Sequence, residues 1–171
     1  MRVRVVYYSW QGHTEKVARA LAAKLGAEAE GIVPKQEAGI VDKAIRAMFR
    51  LRAGIRPMKT DLADVDCLVV ASPVWARGIP GYVREYCHQV KNGSGKPFGV
   101  LVEMGGSGDA SAIAAVRRRL EKKGMRFIGS ASTIEKHVDA NRFEQQLAPL
   151  VDAIAAEAAR QAKKESQSSA R

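Results

Sequence analysis

The chain contains 171 residues, of which 46% are apolar and 27% charged, and this balance is typical of one folded domain with a sizeable core. Its net charge of +10 suits acidic partners or a solvated basic surface, but no arginine–glycine repeat or nucleic-acid motif is present, so nucleic acid is not favoured as a partner. No apolar run approaches the length of a membrane span, and the chain starts with a predicted strand, so we expect neither a membrane span nor a signal peptide.

The spacing of the cysteines and histidines indicates neither a disulfide nor a metal centre. Cys67 and Cys87 fall in a predicted strand and a predicted helix, where they resemble small buried apolar residues. His13, His88 and His137 are scattered, and no Cys-x-x-Cys pair occurs. We therefore expect reduced thiols, no metal site and a cytoplasmic location.

The first half of the chain predicts two strands and two helices. A nearly continuous apolar run at residues 2–8 is typical of a strand covered on both faces. Apolar residues at helical spacing predict a helix over 14–25, which Gly26 ends. Acidic and apolar side chains alternate at the start of residues 27–33, which suits an edge strand with one face in water. Residues 40–52 form an amphipathic helical pattern with a basic face. That face is either solvated or a docking surface for an acidic partner.

The second half predicts strands at 66–72, 98–104 and 125–132, each followed by a helix. Pro80 fits the first turn of one of these helices, Asp109 is predicted as the N-cap of the next, and the last begins near Asn141. From about residue 163 the chain is polar. The sequence therefore predicts one domain at 1–162 and a disordered tail at 163–171.

The alternation of strands and helices predicts a parallel sheet with helices on both faces, an α/β/α sandwich. Because the first strand is apolar and central, we expect the strand order 2-1-3-4-5. Ligands of such sheets bind beyond the carboxyl ends of the strands, where the order reverses between strands one and three. The loops after strands one, three and four should therefore converge on one site.

The loop between the first strand and the first helix has the composition of an anion cradle. Its candidate binding residues are Ser9, Trp10, Gln11, Gly12, His13 and Thr14. Backbone N–H groups and the positive end of the helix dipole point at a common centre in such a loop, and phosphate is the usual anion. Ser9 and Thr14 add hydroxyls, His13 and Gln11 add N–H donors, and Gly12 permits close backbone approach.

The loops after the third and fourth strands add an aromatic and a glycine-rich wall. Their candidate binding residues are Pro73, Val74, Trp75, Ala76, Arg77 and Gly78, followed by Gly105, Gly106, Ser107, Gly108 and Asp109. Trp75 suits stacking on a planar ring, or alternatively covers the core at the sheet edge. A phosphate joined to a flat heterocycle would fit all three loops, and flavin mononucleotide (FMN) is such a molecule.

These motifs resemble the flavodoxin-like family over most of residues 2–160. Residues 7–15 resemble the family's phosphate loop, and their Tyr-Tyr-Ser-x-x-Gly-His form also resembles the NAD(P)H:quinone oxidoreductase branch. Residues 72–78 resemble the flavodoxin loop that lies at the isoalloxazine, and residues 105–109 occupy the place of the third flavin loop. The resemblance implies a flavodoxin-like fold that binds FMN, in which the flavin carries the chemistry and no side chain is catalytic.

The resemblance also implies roles for two residues of the second loop. The peptide near Gly78 would face flavin N5, and Arg77 would lie near N1 and raise the flavin potential, unless Arg77 is simply solvated. The chain departs from the flavodoxin pattern in two respects. Gln11 replaces a hydroxyl residue found in many flavodoxins, and the chain is basic whereas electron-shuttling flavodoxins are typically acidic.

Other phosphate-loop chemistries lack their residues. A nucleotide-hydrolysing P-loop needs Gly-Lys-Ser/Thr, a cysteine phosphatase needs a cysteine in the loop, and a phospho-receiver needs carboxylates after the first strand. The first loop of this chain has none of these. The functions that remain for this loop are therefore redox chemistry with a bound cofactor and binding without catalysis.

Three functions follow from the sequence, and the choice between carrier and enzyme stays open. The first, which the flavodoxin-like second loop favours, is a flavodoxin-like electron-transfer protein serving a redox partner protein. The second is an FMN-dependent oxidoreductase that takes hydride from NAD(P)H and passes it to a quinone or similar small acceptor, with an open flavin face that suits a homodimer. The third is a non-catalytic interaction protein that uses its basic surface.

Overall fold

A computed structural model of the protein describes residues 1–36 and 52–169, with side chains described as far as residue 167. The strands are β1 (Val3–Tyr7), β2 (Glu28–Gly31), β3 (Cys67–Pro73), β4 (Pro97–Met104) and β5 (Arg126–Ile134). The helices within these ranges are α1 (His13–Leu25), α2 (Gly81–Gln89), α3 (Asp109–Glu121), α4 (Glu135–Asp139) and α5 (Glu144–Ser169). The five predicted strands are thus all confirmed.

The strands form one parallel sheet in the order β2-β1-β3-β4-β5, as the sequence predicts. Val5 of β1 lies between Ala29 of β2 and Val69 of β3, so the first strand is interior. Every residue of β3 is buried, which explains its unbroken apolar sequence. The order reverses between β1 and β3, and this places the expected ligand site at their carboxyl ends.

Alternate residues of β1 enter two separate cores. Val6 packs on the face covered by α2 and α3, whereas Val5 packs on the face covered by α1 and α5. Gly99 and Gly129 are paired across β4 and β5 beneath α5, and a methyl group at Gly99 would meet Leu150 Cδ1 at 2.5 Å. The long helix therefore lies close against the sheet, and the three layers hold the loops at the carboxyl edge in place.

Three predicted features differ from the structure or fall outside the described residues. The helix predicted at 40–52 lies outside them except for residue 52. The cap of α3 is Gly108, at φ 103°, and Asp109 is the first helical residue, so the prediction of Asp109 as N-cap is wrong. Glycine takes this position because the entering chain needs a left-handed conformation.

Helix α5 continues to Ser169, within the segment that the sequence predicts as a disordered tail from residue 163. Residues 163–167 are exposed and make no core contribution. Their lysine, glutamate and glutamine are good helix formers, so the helix continues past the last core residue without tertiary support. Of the helices in the described ranges, none combines the length and the apolar character needed to cross a membrane.

Candidate functional site

The β1–α1 loop presents backbone donors at the amino end of α1. Gly12 caps this helix in a left-handed conformation at φ 93°, and its N–H donates to Ser9 Oγ at 3.1 Å. The first intrahelical bond runs from the N–H of Lys16 to the carbonyl of Gly12 at 2.9 Å. The N–H groups of the three preceding helical residues therefore point out of the helix end. A methyl group at Gly12 would project into open space. The loop is an open, donor-lined cradle.

Thr14 turns its hydroxyl inward rather than towards the cradle. Its Oγ1 donates to the Oε2 of Glu103 at 3.2 Å, and the two residues are only 1% and 7% exposed. Glu103 lies near the carboxyl end of β4, directly beneath the cradle. Burial raises the pKa of its carboxyl group, while the hydrogen bond from Thr14 acts in the opposite direction. The cradle floor thus contains a buried carboxyl group whose pKa is raised.

His13 is held by carboxylates of α4, an element that the sequence does not predict. Its Nε2 lies 2.9 Å from Asp139 Oδ1, and its Nδ1 lies 3.7 Å from Glu135 Oε1. One potential ligand atom from each of the three side chains lies within 4.8 Å of the others, close enough to surround a metal ion. Both ring nitrogens of His13 therefore face carboxylates of α4.

The second loop closes as a tight turn from Trp75 to Gly78. The N–H of Trp75 donates to the carbonyl of Gly78 at 3.0 Å, and the N–H of Gly78 donates to the carbonyl of Trp75 at 2.8 Å. Between them, Ala76 and Arg77 take left-handed conformations, at φ 46° and 56°. Non-glycine residues adopt this conformation at a cost, and such strain often occurs at ligand sites.

Aromatic rings connect the second loop to the first. The Trp75 ring packs edge-on against Tyr8, with ring centres 5.7 Å apart, and against Trp10 at 6.0 Å. Trp75 is half-buried, whereas Trp10 is 48% exposed. Trp75 packs against the core, and it also lines the cavity described below.

The third loop lies against the second. A methyl group at Gly108 would meet Val74 Cγ1 at 2.9 Å and Arg77 Cα at 3.3 Å. The N–H of Val74 donates to the carbonyl of Glu103 at 2.8 Å, which fixes the two loops at the ends of adjacent strands. Only glycine allows this close approach at φ 103°.

The three loops share a cavity of about 150 Å³ at the carboxyl edge of the sheet. The predicted site residues that line it are Ser9, Trp10, Gln11, His13, Thr14, Pro73, Val74, Trp75 and Gly105. Glu103, Met104 and Glu135 also line it, and the sequence does not single them out. Arg77 and Gly78 instead line a second cavity on the other side of their turn.

A larger open cavity of about 890 Å³ lies at the opposite edge of the sheet, around the start of β1 and the end of α1. It contains none of the predicted site residues. Ligands of doubly wound sheets bind at the carboxyl edge, so the three-loop cavity is the candidate site despite its smaller volume.

An anion cradle, an aromatic loop and a glycine loop at the switch point of a 2-1-3-4-5 sheet define a flavodoxin-like protein. Comparison with protein families gives a match to the NADPH-dependent FMN reductase family over residues 1–139, and the chain belongs to this family. It is therefore an FMN-binding flavodoxin-like protein, as the sequence predicts.

Solved structures have the same fold. A flavoprotein in complex with FMN from Lactobacillus acidophilus NCFM is 19% identical, with a TM-score of 0.67 over 81% of this chain and 97% of that one. A flavodoxin from Streptococcus pneumoniae TIGR4 is 16% identical, with a TM-score of 0.59 over 92% of this chain and 99% of that one. At these identities the comparison establishes the fold. Comparison with curated protein sequences gave no significant match.

Proposed function

We propose that this protein is an FMN-dependent NAD(P)H oxidoreductase whose flavin lies at the three loops. FMN supplies the redox chemistry, taking a hydride from NAD(P)H and delivering two electrons to an acceptor such as a quinone. The observation that carries the proposal is the convergence of the three loops on one cavity, in a chain of the NADPH-dependent FMN reductase family. Of the chain's own residues, we assign binding and positioning roles only.

In this proposal the FMN phosphate lies at the amino end of α1. The N–H groups of the first helical turn and the helix dipole would hold it, and the open space at Gly12 accommodates it. Ser9 Oγ already accepts a hydrogen bond from Gly12, and its own proton remains available for the phosphate. The donor set therefore fits a phosphate, provided that Glu103 beneath it is neutral.

The flavin ring would lie along the second loop. Trp75 and Trp10 both line the cavity and offer aromatic surfaces for it. The resemblance places the Gly78 peptide at flavin N5, but both polar groups of Gly78 are bonded to Trp75 within the turn. The N–H of Gly78 could therefore bond to the ring only if the turn opened, whereas its carbonyl oxygen keeps a second lone pair.

Anaerobic mixing of the FMN-loaded protein with NADPH or NADH tests this function. We expect rapid loss of the oxidised flavin absorbance with NADPH, followed by full recovery when a quinone is added. A control with the same concentration of free FMN measures the uncatalysed reaction. If the nicotinamide nucleotides leave the bound flavin oxidised, while one-electron-reduced flavin accumulates during titration with dithionite, the protein is an electron carrier serving a partner protein.

Two further features belong to the same proposal. An exposed flavin face suits a homodimer in which the partner covers the nicotinamide, and the free, buried Cys67 and Cys87 fit a reducing cytoplasmic location. Burial raises the pKa of both thiols to about 12, so neither serves as a redox nucleophile beside the flavin.

A further inference from the structure

Three potential metal ligands meet beside the phosphate cradle, where α1 contacts α4. Glu135 and Asp139 lie four residues apart on α4, so their carboxylates share one face of this short helix. His13 lies between them, with Nε2 2.9 Å from Asp139 Oδ1 and Nδ1 3.7 Å from Glu135 Oε1. Two ligand atoms on one metal ion lie about 3–3.5 Å apart when each bond is about 2.1 Å long. The three side chains therefore need only small movements to share an ion.

The helix that carries the two carboxylates is fixed to the rest of the domain. Val138 of α4 is fully buried in the core that also contains α1. Its carbonyl accepts a hydrogen bond from Lys16 Nζ of α1 at 2.9 Å. The side chains of Glu135 and Asp139 remain 45% and 61% exposed. The backbone positions of the ligands are therefore held in place, while an ion can reach them from solvent.

The wall of the flavin cavity is acidic, although the chain carries a net charge of +10. Glu103 and Glu135 line this cavity, and no lysine or arginine lines it among the residues that the structure describes. Two carboxylates against one imidazole also leave the potential ligands with net negative charge, even when the imidazole of His13 is protonated. A divalent cation would complement this charge and would attract a phosphate to the same edge of the cavity.

Two buried polar side chains close to these ligands have unused hydrogen-bonding capacity. Thr133 is 2% exposed, and its Oγ1 has no hydrogen-bond partner within residues 1–36 and 52–167. It pairs with Glu103 across β5 and β4, so both side chains lie on the same face of the sheet. Glu103 is 7% exposed, and its hydrogen bond from Thr14 uses only Oε2. A metal ion with three protein ligands keeps water in its open positions, and Thr133 and Glu103 would accept hydrogen bonds from that water.

We propose that His13, Glu135 and Asp139 bind a divalent transition-metal ion at the edge of the flavin cavity, and that the FMN phosphate becomes a further ligand of this ion. One imidazole with two carboxylates is a mixed nitrogen and oxygen set, which suits Mn²⁺ or Zn²⁺ better than Ca²⁺. The ion would hold the phosphate and take no part in hydride transfer. The phosphate contact rests on the proposed function, because it requires FMN at the cradle, whereas the metal site does not.

Binding of Mn²⁺ to the apoprotein, prepared without a histidine tag, tests the metal site in the absence of flavin. The electron paramagnetic resonance signal of free Mn²⁺ falls as the ion binds, so a titration gives the stoichiometry and the affinity. We expect one saturable site, which Asp139→Asn and Glu135→Gln each weaken at least about tenfold. The matched control is Asp152→Asn, which removes the same charge from an exposed position of α5 and should leave the affinity unchanged.

The variants decide whether Mn²⁺ lies at these three residues. Far-ultraviolet circular dichroism shows whether each variant keeps its fold, and the two ligand variants are independent of each other in this respect. A lack of saturable binding would overturn the metal site. So would affinities for Mn²⁺ that are the same in the wild type and both ligand variants, or losses as large in Asp152→Asn as in Asp139→Asn.

Added FMN tests the phosphate contact. We expect saturating Mn²⁺ to tighten FMN binding on the order of tenfold, and FMN to tighten Mn²⁺ binding by the same factor, because coupling between two sites is reciprocal. The affinity for riboflavin, which has no phosphate, should not respond to Mn²⁺. An FMN affinity that is unchanged by Mn²⁺ would overturn the phosphate contact.

The same titrations separate the metal site from the proposed function. If the apoprotein binds Mn²⁺ at these residues but does not bind FMN, the metal site stands and the oxidoreductase function fails. If the protein binds FMN and NADPH reduces it, but Mn²⁺ does not bind, the function stands and the metal site is overturned.

Discussion

Replacing Gly12 with alanine is expected to reduce FMN affinity by at least about 30-fold, because the new methyl group enters the space proposed for the phosphate. Gly12 has φ 93°, so alanine is also strained there by about 1–2 kcal/mol. The measurement is a fluorescence-quenching titration with FMN, accompanied by urea unfolding of the apoprotein. If the loss of FMN-binding free energy is well beyond the loss of unfolding free energy, the phosphate lies at the amino end of α1.

Gly26→Ala provides the matched control, because Gly26 caps the other end of α1. It is also left-handed, at φ 59°, and a methyl group there also meets open space. We expect a comparable loss of stability and unchanged FMN affinity. If both variants weaken FMN binding equally, the effect comes from destabilising α1, and the phosphate does not lie at Gly12.

The second large effect is expected at Glu103, where Glu103→Gln should increase FMN affinity on the order of tenfold at about pH 8. A carboxylate beneath the cradle repels the phosphate, whereas glutamine keeps the size of the side chain and can accept the hydrogen bond from Thr14. In the wild type, FMN affinity should fall as the pH rises through the pKa of Glu103. The variant should lose this dependence, which FMN titrations at several pH values would measure.

The same substitution has a defined effect on stability. The pKa of Glu103 is raised in the folded protein, mainly by burial, with Glu135 and Asp139 adding to the rise and Thr14 and His13 opposing it. Ionisation of Glu103 therefore costs folding free energy, and this cost begins as the pH rises above the unfolded value of about 4.5. Glu103→Gln should be more stable than the wild type near neutral pH and equally stable below about pH 4 in urea unfolding.

Glu157→Gln is the control for Glu103→Gln, because Glu157 is another buried carboxylate but lies on α5. Its Oε1 accepts a hydrogen bond from Arg126 Nη2 at 2.5 Å, so removing its charge should lower stability and leave FMN affinity unchanged. Weaker FMN binding by Glu103→Gln at every pH would contradict our account. The carboxylate would then be needed to hold Thr14 and the cradle in shape.

The sequence predicted the parts of the fold that depend on local patterns. The apolar runs of β1 and β3 predicted interior strands, and Gly26 marked the end of α1. The order of the strands followed from their alternation with helices, because parallel crossovers leave few arrangements. The three candidate loops followed from the same topology.

The features that were missed depend on tertiary neighbours. Glu103 is the next-to-last residue of a strand, and a carboxylate at the ligand edge of a buried strand was the signal available for it. Helix α4, from Glu135 to Asp139, is too short to show a repeating apolar pattern at helical spacing. The sequence therefore could not predict the partners of His13.

The most direct test of the account compares the affinities of the protein for FMN and for riboflavin, which lacks the phosphate. Fluorescence titration of the apoprotein at physiological salt measures both. If the amino end of α1 holds the phosphate, FMN should bind on the order of 100-fold more tightly than riboflavin, and Gly12→Ala should remove most of this difference. Equal affinities for the two flavins, or no binding of either, would contradict an FMN site at the three loops.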